Sequence, residues 1–263
     1  MTAMSSHLAL FDLTGRVAIV TGGDRGLGRA VAETFASAGA RVTIASDNAA
    51  ACEDAAHQMR SNGWAVQAQP CDVTDSLAQA QLVTDTLDRE GGIDILVANA
   101  GITDAMVGST GGLSADYRRV MATNLDSIVE LCGLVVPAIK ARGGGSLVLM
   151  SSLAGQRGNG RIGPYALAKA ALSQLARNLA VELGPHGIRA NAIAPGFIRT
   201  DLGKALLADP AFMARRMQHT PLRRPGEPHE IAAAALLLAS PGGAFITGQT
   251  LVIDGGTLVS DGS

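Results

Sequence analysis

The sequence predicts a doubly wound α/β fold, a parallel sheet of seven strands with helices on both faces. Three observations carry this. Short β-branched runs alternate with longer helical patterns, several of those runs are apolar nearly throughout, and no internal repeat, low-complexity tract or Pro/Ser-rich linker interrupts the series. The alternation begins with a strand at Val17–Thr21 and a helix at Leu27–Ala38. It continues with Val42–Ala45 and Ala49–Arg60, then Ala65–Gln69 and Ser76–Arg89. The second half repeats the rhythm: Ile93–Ala98 before Tyr117–Ile139, Ser146–Met150 before Pro164–Leu183, and Ile188–Ala194 before Glu230–Ala239, with Thr250–Ile253 as the last strand. Strands buried on both faces lose the polar alternation of a half-solvated sheet, which is why VAIV, DILVA and SLVLM point to parallel pairing under helices. The 263 residues are read as one domain. Its long irregular stretch, residues 196–228, follows a strand end, where ligands of open α/β sheets bind, and is expected to cover the substrate.

Bulk composition excludes several function classes. With 21 basic and 23 acidic side chains the formal charge is −2, so no basic field exists to draw nucleic acid or an anionic membrane. The longest uncharged apolar stretch, Ile231–Ala239, falls well short of the roughly 18 residues of a membrane helix. Residues 1–16 lack a basic-then-apolar signal pattern, and a cytoplasmic protein is expected. Cys52, Cys71 and Cys132 form no CxxC pair, so neither a disulfide framework nor a metal site is expected; small core residues in a reducing compartment fit better.

A phosphate cradle is read directly after the first strand, in Thr21-Gly22-Gly23-Asp24-Arg25-Gly26-Leu27-Gly28. Glycines let the backbone turn sharply and approach a pyrophosphate, and the free N–H groups and dipole of the following helix favour its negative charge. The G-x-x-x-G-x-G spacing differs from the common G-x-G-x-x-G, and a plain tight connection is the bland alternative. Asp47, beside Ser46 just past the second strand, stands where an acid accepts hydrogen bonds from a ribose and repels a 2′-phosphate; capping the helix near Asn48 is its other reading. Arg25 argues oppositely, since a guanidinium can pair with that phosphate. NAD is therefore favoured over NADP. Asp72 and Val73 end the third strand, Asp72 being placed either for an adenine amino group or as an N-cap, and Asn99-Ala100-Gly101 ends the fourth, where small residues let a nucleotide pass.

The chemistry concentrates in Ser152, Tyr165 and Lys169. Tyr165 and Lys169 are four apart on a predicted helix and leave one face of it. An ammonium beside a phenol is expected to pull the tyrosine from its ordinary pKa of about 10 toward working pH, making it a general acid/base. Ser152 follows a buried strand, where its hydroxyl can donate to a substrate oxygen as charge develops. Taken singly, each has a bland reading, an exposed helix pair or a strand-ending serine. Asn124, inside a long helical pattern that gives Asn no advantage, is either a solvated position or a link from Lys169 to solvent.

Assembled, these residues resemble the single-domain type of the short-chain dehydrogenase/reductase family over Leu10 to Gly256, with T-G-x-x-x-G-x-G at Thr21–Gly28, N-A-G at Asn99–Gly101, Asn124, Ser152 and Y-x-x-x-K at Tyr165–Lys169. The resemblance implies a Rossmann-type fold and hydride transfer between a nicotinamide cofactor and a secondary alcohol or ketone. It also implies roles: Ser152 polarises the carbonyl, Tyr165 moves the proton, Lys169 holds the ribose and lowers the tyrosine's pKa, and Asn124 completes a proton relay. Asn191–Gly196, with Pro195, Gly196, Ile198 and Thr200, resembles the stretch contacting the nicotinamide carboxamide, and Gly248–Gly256 matches a further family segment. The family's NAD users carry an acid where this chain has Ser46, and its NADP users often carry arginine where this chain has Asp47, so neither pattern is met cleanly. A homotetramer is implied, with a dimer second.

Pocket walls are expected from Ile102–Gly108, Leu153–Pro164 and Phe197–Arg216. Arg157 and Arg161 could meet an anionic or polyhydroxy substrate or simply be solvated, and Leu202, Leu206, Leu207, Phe212, Met213 and Met217 show apolar helical spacing. Two rivals stay open. One is a β-ketoacyl carrier-protein reductase using NADPH; the other is a nucleotide-sensing regulator without turnover, which would have no use for Ser152, Tyr165 and Lys169.

Overall fold

A computed structural model of the chain describes residues 8–103 and 108–260. Seven strands form one sheet: β1 Val17–Thr21, β2 Arg41–Ser46, β3 Val66–Pro70, β4 Ile95–Ala98, β5 Gly145–Met150, β6 Ile188–Pro195 and β7 Thr250–Ile253. Their order is β3-β2-β1-β4-β5-β6-β7, and every pairing is parallel. The helices are α1 Gly26–Ser37, α2 Ala49–Ser61, α3 Ser76–Glu90, α4 Ala115–Met121, α5 Ser127–Ala141, α6 Gly163–Leu183, α7 Lys204–Leu207, α8 Pro210–Gln218 and α9 Pro228–Ala239. A π turn at Ala122–Asp126 joins α4 to α5.

The apolar strands feed two cores by alternation. In β1, Ala18 and Val20 pack with α1, α2 and α9, through Phe35, Met59 and Ile231 among others. Ile19 faces the other layer, built on α3, α5 and α6 through Leu82, Val135 and Leu172. β4 and β5 divide likewise, Val97 and Val148 to the first core and Leu96 and Leu147 to the second. Side chains of period two thus supply both layers, and burial on both faces removes the need for polar positions.

Capping sets the helix starts. Asn48 accepts from Ala51 N–H, Asp75 from Leu77 and Ala78, Ser114 from Tyr117, and Asp209 from Ala211 and Phe212. Two capping expectations are corrected here: Asn48, not Asp47, caps α2, and Asp75, not Asp72, caps α3. The side chain directly ahead of the first helical residue has the reach to the N3 amide in each case, Asn48 to Ala51 and Asp75 to Ala78. Asp72 instead closes a turn, accepting from the Thr74 N–H and hydroxyl at 2.8 and 2.7 Å.

Residues 196–228 are less irregular than the sequence suggests, holding a 3-10 turn at Asp201–Gly203, then α7 and α8. Counted through its π turn, Ala115–Ala141 is long and apolar enough by composition to cross a membrane, contrary to the expectation that no such helix exists. Its face bearing Ile128, Leu131, Cys132, Val135 and Ile139 is buried in the second core, while Asp126, Val129 and Glu130 are exposed.

Candidate active site

β1 pairs with β2 on one side and β4 on the other, so chain order reverses between β1 and β4, and a crevice opens at their carboxyl ends. Thr21 staples the two lips together. Its hydroxyl accepts from the Asn99 and Ala100 N–H groups, both at 3.0 Å, while the Asn99 amide donates to the Thr21 and Gly22 carbonyls at 2.9 and 3.3 Å.

A cleft of about 840 Å³ runs from this point. Its walls include Gly22, Asp24, Arg25, Gly26 and Leu27 from the glycine loop, Ser46 and Asp47 from the end of β2, and Asp72 and Val73 past β3. Asn99, Ala100 and Gly101 follow β4, Ser152, Tyr165 and Lys169 lie past β5, and Pro195, Gly196, Ile198 and Thr200 close the far side. Two expected residues stand behind the wall. Gly28 packs so closely that a Cβ would sit 2.0 Å from the Gly22 carbonyl oxygen, which makes it a structural requirement of the loop. Asn124 is fully buried in the π turn, where its amide donates to the Ile102 carbonyl and its oxygen accepts from the Ile102 N–H, both at 2.8 Å. The solvated reading of Asn124 is therefore wrong. The widened turn aims the side chain at the backbone beyond β4, an arrangement frequent at functional sites.

The cleft suits a dinucleotide. α1 starts inside it, with Gly26 and Leu27 on its wall, and Arg25 at its N-cap leaves the first N–H groups without a side-chain cap, beside a loop that Gly22 and Gly26 turn with positive φ. The Asp47 carboxylate is exposed at the adjoining strand end, with the Ser46 hydroxyl 3.4 Å from it and accepting from Asn48 N–H at 3.2 Å. Arg25 is largely exposed, its Nε 3.9 Å from Asp24.

α6 begins with Pro164 in its first turn and carries Tyr165 into the cleft one turn before Lys169. The Lys169 ammonium is 5.7 Å from the Tyr165 ring centre and donates to the Met150 carbonyl at 2.7 Å. A Cβ on Gly101 would come within 3.3 Å of that nitrogen and 2.9 Å of the Asn124 oxygen, so the N-A-G turn needs its glycine for this approach. Ser152 caps the 3-10 turn Leu153–Gly155; its oxygen accepts from Ala154 N–H at 3.1 Å, and its side chain also hydrogen-bonds Tyr165.

The electrostatics correct one expectation. Burial pushes the Tyr165 phenol above its ordinary value, with Ser152 opposing. Burial also lowers Lys169 to about 8. For the tyrosine, desolvation outweighs the Ser152 hydrogen bond, and the lysine shift comes from desolvation alone, because both groups have left water.

Residues 102, 103, 162 and 197 add to the walls, whereas residues 104–107 of the expected pocket segment lie outside the described residues. Of the lid positions, Leu202 and Leu206 line the cleft, and Phe212 packs edge-on to Phe197 with centroids 5.6 Å apart. Arg157 and Arg161 are exposed. Sequence reasoning missed Ser151, which lines the cleft and whose hydroxyl donates to the Lys169 carbonyl at 2.6 Å; a lone serine next to another gives no periodic or motif signal. Among the described residues no His, Cys, Asp and Glu cluster is arranged to hold a metal, and the three cysteines are free and buried.

Known proteins share this architecture and sequence. The family model described as enoyl-(acyl carrier protein) reductase matches residues 22–257. The 7α-hydroxysteroid dehydrogenase of Escherichia coli (strain K12) is 38% identical over 250 residues, covering 93% of this chain and 94% of that protein. Among solved structures, a 7α-hydroxysteroid dehydrogenase complexed with NADH and 7-oxo glycochenodeoxycholic acid superposes with a TM-score of 0.91 at 38% identity, over 96% of this chain and 98% of that one. A gluconate 5-dehydrogenase from Burkholderia cenocepacia J2315, in complex with NADP and tartrate, gives 0.91 at 33% identity, over 97% and 99%.

Proposed function

The chain belongs to the short-chain dehydrogenase/reductase family and is a nicotinamide-dependent oxidoreductase acting between secondary alcohols and ketones; on that premise we propose that Tyr165 is its general acid/base, Ser152 its carbonyl-polarising donor and Lys169 its ribose-holding cation. The observation that carries this reading is that the three side chains line the same cleft as the glycine loop and Asp47, with the Lys169 ammonium 5.7 Å from the Tyr165 ring centre and Ser152 hydrogen-bonded to Tyr165. When bound, the nicotinamide gives or accepts the hydride.

The protein's own part is to place and protonate the substrate oxygen. In ketone reduction the Ser152 hydroxyl donates to that oxygen and the Tyr165 phenol, kept protonated by burial, delivers the proton. In the reverse direction the same tyrosine must lose its proton first. Asn124 fixes the Ile102 backbone beside Lys169, and its proposed role is to pass protons from the lysine toward solvent. Residues 196–228, with α7 and α8, act as the substrate cover.

NAD is the proposed cofactor. Its support is the Asp47 carboxylate at the adenosine end of the cleft, placed to accept from ribose hydroxyls and to repel a 2′-phosphate, against the exposed cation Arg25 of the glycine loop. The substrate is a small molecule; the hydroxysteroid and gluconate named for the relatives both carry secondary alcohols, and this chain is placed in that class. Operation in the cytoplasm, as a homotetramer, completes the reading. Its supports are the unpaired cysteines and the exposed apolar residues of α5 and α6.

The test is Tyr165→Phe. Cofactor binding survives, while turnover falls by about two orders of magnitude or more. Turnover unchanged from wild type sinks the mechanism. Side-by-side calorimetric titration with NADH and NADPH decides the cofactor, tighter NADPH binding sinking the NAD reading.

A further inference from the structure

The turn that carries Ser152 is fastened to the helix that carries Tyr165. β5 ends at Met150, and the next residue, Ser151, is still held by the sheet, its N–H donating to the Ile193 carbonyl of β6 at 2.7 Å. Ser151 is 2% exposed, and its hydroxyl reaches α6, donating to the Lys169 carbonyl at 2.6 Å. One turn further along α6 the buried Ser173 hydroxyl lies 3.3 Å from that of Ser151 and accepts from the Gln156 side-chain amide at 3.0 Å. Between Ser151 and Gln156 the 3-10 turn Leu153–Gly155 lies flat on the helix. A Cβ on Gly155 would come 2.6 Å from both the Ala170 nitrogen and the Lys169 carbonyl carbon.

Ser152 is thus bracketed, Ser151 before it and Gly155 and Gln156 after it, by contacts to one stretch of α6. A carbonyl inside a helix already has a partner four residues on, so α6 does not need the Ser151 bond to be satisfied. A buried hydroxyl also costs free energy that alanine would avoid. What the bond supplies is a fixed distance between two elements, and a misplacement of about 1 Å among reacting groups can cost about a hundredfold in rate. We propose that Ser151 is a positioning residue: through the Lys169 carbonyl, backed by Ser173 and Gln156, it sets how closely the Ser152 hydroxyl approaches the Tyr165 phenol. This rests on the reading of Ser152 and Tyr165 as the groups that act on the substrate oxygen.

The experiment compares Ser151→Ala in wild type and in Ser152→Ala. Reduction of cyclohexanone, ethyl acetoacetate and 5-ketogluconate by NADH is followed, and the fastest ketone is kept. Ser151→Ala lowers kcat about tenfold or more, while KM for the ketone and NADH binding by calorimetry stay within about threefold. In Ser152→Ala the same substitution costs less than about twofold, because two groups acting as one unit are not additive. A second readout needs no substrate. The chain has two tyrosines, so phenolate absorbance in the Tyr117→Phe background follows Tyr165 by itself. Its midpoint rises by about one pH unit in Ser151→Ala, as loss of a hydrogen bond to the charged form requires, and rises no further in the double variant. An unchanged kcat, an unmoved midpoint, or an equal loss in both backgrounds overturns the proposal, the last outcome placing the action of Ser151 on Lys169. Should Ser151→Ala not fold, Gln156→Leu, at a half-exposed position, is put through the same two backgrounds and decides by the same criteria. Ser152→Ala turning over like wild type sinks the premise, whereas a Ser152→Ala slowed about a hundredfold beside an unimpaired Ser151→Ala keeps the premise and sinks the inference.

Discussion

Lys169 is only 2% exposed, and its burial has a thermodynamic signature independent of catalysis. Its folded value of about 8 lies below its ordinary 10.5. Below about pH 8 both folded and unfolded chains carry the proton, and the desolvation cost is present in full. Between those values the folded chain has shed a proton that the unfolded chain keeps, so stability rises with pH, by on the order of 3 kcal/mol across the window. We expect urea unfolding of wild type to gain stability relative to Lys169→Met over that range, and a pH-independent difference would refute the burial cost. Asp47 offers the second residue-scale prediction. Asp47→Arg exchanges repulsion of a 2′-phosphate for a pairing partner, so the ratio of NADPH to NADH affinity rises at least about tenfold, as a charge-assisted pair implies. A ratio unmoved in parallel titrations would assign cofactor choice to Arg25 and Ser46 instead.

Strands β1, β4 and β5 are tied at the edge opposite the cleft by Asp94, which sits just ahead of β4 and is 1% exposed. It accepts from the Val17 N–H at 2.9 Å, from Arg16 at 2.9 Å and from Arg142 at 3.2 Å. Burial acts to raise its pKa, but the Val17 N–H, Arg142 and Arg16 together outweigh it and hold the carboxyl below its ordinary value. Its contribution is thus complete above the unfolded value of about 3.9 and is lost as pH falls through the folded one. Because both arginines are partly solvated, Asp94→Asn is expected to cost about 2–3 kcal/mol at neutral pH, somewhat less than a fully buried pair. Chemical denaturation at neutral pH and near pH 3 should show that cost shrinking; a constant cost would mean packing, not charge, is what the residue supplies.

Over the molecule as a whole, the outer faces of α5 and α6 expose Val129, Leu167 and Val181, the last at 82%, although both helices pack their inner faces on the sheet. Apolar residues exposed on neighbouring long helices suit a two-fold contact, in which one patch meets its own copy. Val181→Glu is expected to shift the species seen in light scattering toward dimers or monomers without changing the melting of the isolated fold by more than about 0.5 kcal/mol, the usual range for surface substitutions. A tetramer that persists in the variant places the contact elsewhere, Phe245 near β7 being the next exposed candidate.

The order of elements was legible in the chain because period-two apolar runs and capped helical patterns are local signals, and β1 and β7 fall where the sequence reading puts them. The family motifs were equally local, since the glycine turn and the Tyr165–Lys169 spacing are set by one loop and one helix turn. What the sequence could not state is anything decided between distant segments. That Asn124 is buried on Ile102 depends on a π turn meeting the loop after β4; that Tyr165 is pushed up rather than down depends on how deeply α6 seats it and Lys169. That Asn48 and Asp75 cap their helices, where the sequence offered Asp47 and Asp72, is settled only by where each helix starts. The placement of Arg216 over the Phe197 ring lies wholly in the tertiary structure. Local propensity fixes which elements form, whereas desolvation and the approach of charges arise only when the layers close over one another, and those two effects decide the chemistry of the cleft.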